Sequence, residues 1–230
     1  MTRLPTSSQP LSPPVVIPKP LLRGWFHAIA AVASLIFTII LCIRSQDDLP
    51  RLFSLLIYGL SMIELYTVSS IYHIGKWPER IRRRLRSLDH ANIFVLIAGT
   101  YTPLCFNLLH GWVRPTILTL IWSLALLGVA LATLTLHTPR WLTAGLYVAM
   151  GWVVIFAFPA FLAVVPWAAL VWLLLGGILY TVGALIYARR RPDPLPRFFG
   201  FHELFHLFVI AGSAAFAVTV WVWALPFPRI

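Results

Sequence analysis

Charge is what this chain has least of. Charged residues make up 11% of it, against roughly 25% in a soluble globular domain, which excludes an ordinary water-soluble fold. Cysteine is nearly absent as well. Cys42 and Cys105, the two present, both fall inside apolar runs, so a disulfide framework is excluded and the redox compartment goes unmarked. No stretch shows the apolar–polar alternation of a strand. Residues 1–20 are rich in Pro, Ser and Thr and lack the long apolar run of a secretory signal. They read as a disordered tail.

What is there is apolar. Hydrophobic residues make up 60% of the 230. A crossing takes about 20 residues, so there is room for about six to eight spans and none for a second soluble domain. Apolar runs fall at 25–43, 52–72, 92–109, 116–136, 142–164, 167–187 and 205–223. The fold expected is an all-α bundle of seven transmembrane helices over 21–225, with 226–230 a short outer tail. Pro159 and Pro166 interrupt the stretch around the fifth and sixth spans, where only a tight turn fits, and Pro103 is expected to kink the third.

A net charge of +11 suggests nucleic acid at first sight. The positive residues, however, lie between apolar runs, which is the topology signal of a membrane protein, so no nucleic-acid partner is expected. Arg3, Lys19, Arg23, Lys76, the arginines of 80–86, Arg140 and those of 189–197 fall on one side. Arg44, Arg51, Arg114 and Arg229 fall on the other, a division of 14 to 4. The larger count places the N-terminus in the cytoplasm and the C-terminus outside. Segment 80–86 reads as a solvated basic loop touching anionic lipid.

This topology brings His73, Asp89, His202 and His206 to one depth. His73 closes the second span, Asp89 opens the third, and His202 and His206 occupy the first turns of the last. Ionisable groups in membrane segments are rare and usually functional. His202 and His206 are four apart, so both can address one ion, and Ser69 shares a helical face with His73. Three imidazoles leave a fourth tetrahedral position for water, the pattern of a catalytic zinc site. Asp89 would hydrogen-bond that water or orient a ligand histidine, or it caps the third helix. Ser69 either borders the site or satisfies a backbone carbonyl. His27, His110 and His137 read as interfacial anchors, and His90 as a helix-start or interfacial group. Glu64, deep in the second span without a basic partner, is protonated or faces a cavity.

His202, Glu203 and His206 also match H-E-x-x-H, in which the Glu is the general base. No Asp, Glu or His follows His206, so a third ligand must come from upstream, which favours His73. Glu203 then competes with Asp89 as base, with Asp89 preferred. Haem is disfavoured, because two ligands one turn apart cannot reach opposite faces of the ring.

Taken together, Ser69-x-x-x-His73, Asp89 after a basic segment and His202-x-x-x-His206 opening the last span resemble the hemolysin III proteins, which group with the progestin and adipoQ receptor family. The run Leu88, Asp89, His90, Ala91, Asn92, Ile93, Phe94 and the following Ala98, Gly99, Thr100, Tyr101, Thr102, Pro103 resemble that family's third-span signature. The resemblance covers about residues 21 to 225. It departs at Leu22, Arg23, Gly24, Trp25, Phe26, His27, where the family often has an acidic residue and an Asn, so no first-helix role is carried over.

The resemblance implies a seven-helix fold with an intramembrane Zn2+ held by His73, His202 and His206, and with Ser69 and Asp89 bordering a zinc-bound water. It also implies a multi-pass protein of a bacterial inner membrane. A wider superfamily with the same Ser, Asp and His pattern includes ceramidases, so one reading is a zinc-dependent hydrolase of a lipid amide or ester that enters from the bilayer. A second is a non-enzymatic sensor or regulator of membrane state with structural zinc. A third is a channel or cytolysin, although no amphipathic hairpin or repeat supports it. Membrane lipids are the expected partners, and substrate and oligomeric state stay open.

Overall fold

The computed structural model describes residues 20–134, 138–195 and 197–228. The expectations for Arg3, Lys19, His137 and Arg229 lie outside the described residues, as does most of the tail. Among the described residues, seven helical segments are long and apolar enough to cross a membrane. They are α1 (Trp25–Arg44), α2 (Leu49–Ile74), α3 (Glu79–Leu108), α4 (Val113–Leu134), a fifth broken into α5 (Arg140–Gly151) and α6 (Val154–Val164), α7 (Trp167–Arg189) and α8 (Phe201–Thr219). A π-helical turn at Val220–Ala224 extends α8. Extended pairing among the described residues is limited to one isolated bridge between Leu195 and Phe199. The chain is a multi-pass, all-α membrane bundle.

Local chemistry sets the helix ends. The Asp48 carboxylate accepts from the Arg51 amide at 3.1 Å, and Pro50 sits in the first turn of α2, where its missing N–H is no loss. Glu203 reaches back to accept from the Gly200 amide at 2.8 Å and opens α8, satisfying an N–H group that the start of a helix would otherwise leave orphaned. At the opposite end of the bundle the Arg51 guanidinium donates to the carbonyls of Leu225 and Phe227, tying α2 to the chain beyond α8.

Helix α3 is the axis. Within 91–108 only Ile93, Val95 and Phe106 escape burial. It packs against α2 and α4 and meets α5 and the π turn after α8. The α7–α8 pair packs onto α5, and α1 closes the ring against α2 and α8. Close approach needs small residues where lipid offers no hydrophobic drive for association. A methyl at Gly59 would sit 2.8 Å from Thr38 Cβ of α1, and one at Gly99 would sit 2.7 Å from Ser61 Cβ of α2.

Three expectations need correction. Segment 80–86 is not a loop: α3 begins at Glu79, and the arginines form its exposed first turns, where Glu79 pairs with Arg82 at 2.8 Å. Arginine is a good helix former, and no breaker lies between Glu79 and the apolar run. The fifth span breaks at 151–153, while Pro159 lies inside α6. Backbone groups freed at such a break must find partners in the bundle, and the Tyr101 hydroxyl of α3 supplies both. It donates to Gly151 O at 2.7 Å and accepts from Val154 N at 2.7 Å. Finally, Glu64 is exposed on the outer side of α2, away from the lining of the apolar cleft between α3 and α5–α8.

Candidate metal centre

The start of α1, the end of α2 and the start of α8 meet at one side of the bundle. His73 lies in the last turn of α2 and Ser69 one turn before it. His202 and His206 lie in the first two turns of α8. The three histidines are the group that the fold brings together: their ligand-capable nitrogens all lie within 4.8 Å of one another. His202 Nε2 is 3.0 Å from His73 Nε2, and the His202 and His206 ring centroids are 4.5 Å apart.

The set fits a metal ion. Ligands about 2.0–2.1 Å from a tetrahedral zinc stand about 3.3 Å apart along each edge, close to the 3.0 Å between His73 and His202. His206 is 1% exposed, and its Nδ1 has no hydrogen-bond partner among the described residues. A buried polar atom left in that state costs free energy unless something else satisfies it. Three neutral imidazoles suit zinc among the common ions.

Asp89 joins this group. Its Oδ2 is 3.7 Å from His73 Nε2, too long for a hydrogen bond and close enough to bias which species sits between them. It lies almost three turns into α3 from Glu79, so it does not cap that helix. Ser69 is buried beside the Asp89 carboxylate, and among the described residues its Oγ makes no hydrogen bond of good geometry. The reading in which Ser69 satisfies a backbone carbonyl is therefore not met.

Glu203 is differently occupied. It is fully buried, one oxygen takes the Gly200 amide, and the other takes Arg23 Nε at 2.7 Å. A carboxylate held on both oxygens by a cap and an arginine is a poor general base. His90 is not at a helix start. Its Nδ1 donates to Arg86 O at 2.7 Å, and its Nε2 is hydrogen-bonded to the Tyr187 hydroxyl at 3.0 Å. It ties α3 to α7 and takes no part in the histidine group. His110 sits at the far end, exposed and 3.2 Å from Arg114.

Three participants escaped the sequence. His27 is not an interfacial anchor: it is 2% exposed and stacks on His206 with ring centroids 3.7 Å apart. Arg23, in the turn before α1, holds Glu203. The available signal was their position at the start of α1, on the same membrane side as His202. Asn92 is a third, buried one turn beyond Asp89 with its Nδ2 unpartnered.

Beside the histidines lies an apolar cleft of about 430 Å³ between α3, α5, α6, α7 and α8. Its walls include Tyr101, Tyr147, Phe161, Tyr180, Phe205 and Val209. Phe205 is shared between cleft and centre, its ring 5.8 Å from those of both His202 and His206.

Known proteins resemble the chain over much of its length. The family profile described as "Haemolysin-III related" matches residues 15–217. A "Hemolysin-3 homolog" of Bacillus subtilis is 34% identical over 199 residues, covering 86% of this chain and 90% of that protein. "Hemolysin-3" of Bacillus cereus is 34% identical over 204 residues, covering 87% and 89%. An "Adiponectin receptor protein" of Drosophila melanogaster is more distant, 28% identical over 148 residues that span 57% of this chain and 33% of that one. With the profile spanning most of its length and the histidine pattern in place, the chain belongs to the haemolysin-III related proteins, within the progestin and adipoQ receptor family.

Proposed function

We propose that this protein is a membrane-embedded zinc hydrolase acting on a lipid amide or ester, with His73, His202 and His206 holding the metal. The observation that carries the reading is the convergence of three imidazoles from two helices beside an apolar cleft. A zinc ion supplies Lewis acidity, lowering the pKa of water and polarising a carbonyl.

The chain's own residues supply the rest. The cleft takes an acyl chain and, being apolar, keeps bulk water from the reacting group. Phe205 ends that slot against the histidines, so a carbonyl at the head of the chain arrives at their depth. Asp89 is the proton acceptor, a carboxylate aimed at the triad and unclaimed by any cap. The buried Ser69 hydroxyl donates a hydrogen bond to the group Asp89 has deprotonated or to the substrate oxygen. The Arg23–Glu203 pair fixes the first turn of α8, and with it the aim of His202 and His206. The excess of Lys and Arg on this side supports a cytoplasmic N-terminus and outer C-terminus, and the Bacillus relatives support a bacterial plasma membrane.

Metal analysis of purified protein, followed by fatty-acid release from a panel of lipid amides and esters, tests the proposal. Wild type is expected to hold about one zinc per chain, and His202→Ala far less. Asp89→Asn is expected to keep the metal while hydrolysis falls by about 10²–10⁴-fold. Metal-free wild type sinks the reading. Bound zinc with no hydrolysis of any lipid favours the second one, a non-enzymatic regulator with structural zinc, which the relative named a receptor supports. A channel or cytolysin, suggested by the relatives' printed names, requires ion flux that a chelator leaves unchanged.

A further inference from the structure

We propose that His27 is a positioning residue of the metal centre: its ring face holds the plane of His206 and so sets how tightly, and in what geometry, the triad binds its ion. The proposal rests on the metal-centre reading and extends it to a helix that contributes no ligand.

The geometry rules out the simpler idea of a fourth ligand. An imidazole nitrogen binds through a lone pair in the ring plane, so an ion lies in that plane about 2.0–2.1 Å away. The His27 and His206 planes are 12° from parallel with centroids 3.7 Å apart. Two rings stacked in that way cannot aim at one ion.

The stack is also unusually close. Aromatic pairs ordinarily settle offset or edge-on with centroids roughly 4.5–7 Å apart, and the other ring contacts of His206 follow that rule, at 4.5 Å to His202 and 5.2 Å to His73. A tight face-to-face pair is favoured when one ring is drawn electron-poor, and a cation on His206 does that, giving the face of His27 a cation–π character.

Among the described residues neither ring nitrogen of His27 makes a hydrogen bond of good geometry, the ring standing against the His206 backbone, and burying polar atoms in that way opposes stability. Packing holds the ring in place: Tyr66 lies tilted against it at 5.0 Å. Arg23, one turn earlier, grips Glu203, one turn before His206. Two rungs therefore connect the start of α1 to the ligand helix, and His27 is the one that touches a ligand. Metal-binding histidines need such outer partners to fix ring orientation, and losing one typically weakens binding about 10–100-fold.

Co2+ alone, added to full-length protein in detergent after removal of native metal, is the probe, because its visible bands report ligand geometry. His27→Leu and His27→Met remove the flat ring and His27→Phe restores it. The Leu and Met variants are expected to bind Co2+ at least tenfold more weakly with shifted bands, and the Phe variant to recover the wild-type bands. Melting with chelator present identifies any variant that fails to fold, and the other non-aromatic variant then decides. Wild-type bands and affinity in the folded Leu or Met variant overturn the proposal. Absence of Co2+ bands in wild type, or their survival in His206→Ala, overturns the metal-centre reading itself.

Discussion

Asp89 and Glu203 both stand beside the histidines, and their surroundings assign them different work. Glu203 is committed on both oxygens, to the Gly200 amide and the Arg23 guanidinium, while Asp89 faces the triad. Removing one member of a buried pair strands the other's charge, at a cost of about 3–5 kcal/mol. Arg23→Ala is therefore expected to destabilise the protein by about 3 kcal/mol and to loosen the start of α8, read as a lower melting temperature and lower metal content together. Glu203→Gln still accepts from Gly200 and is expected to cost less. If Arg23→Ala leaves both quantities at the wild-type level, the pair has no structural role.

At the scale of elements, the break between α5 and α6 depends on one hydroxyl. Tyr101→Phe keeps the ring and deletes the group that serves both Gly151 O and Val154 N. Each buried backbone group left unsatisfied costs about 1–3 kcal/mol, so the variant is expected to lose about 2–4 kcal/mol, measured by unfolding in detergent. The break illustrates what the sequence hides. Seven crossings were legible because hydropathy over about 20 residues is a strong signal, and the turn between α6 and α7 follows from Pro166. The interruption at 151–153 carries no proline, and what permits it is a tyrosine fifty residues away. Likewise α3 begins at Glu79 because arginines propagate a helix, although hydropathy registers only its apolar part. In the site, His202 and His206 were readable from spacing along one helix, and His73 and Asp89 from topology. His27 and Arg23 were not, because their roles depend on how α1 rotates against α8, and a single helix's pattern does not encode its neighbour.

Over the whole molecule, most of the basic residues gather at the end where the histidine group lies, and the opposite end carries fewer. Arg23, Arg140 and the arginines of 80–86 and 189–191 share that face, leaving Arg44, Arg51 and Arg114 for the other among the described residues. Positive loops are retained in the cytoplasm. Alkaline phosphatase fused to the C-terminus is accordingly expected to be active and a fluorescent-protein fusion there dark, and the reverse result would invert the bundle. The opposite end has its own fastening in Arg51, which grips the carbonyls of Leu225 and Phe227. Because it holds main-chain oxygen atoms that every amino acid carries, this clasp is blind to spelling: it asks only that the chain after α8 follow the same route, whatever side chains stand at 225 and 227.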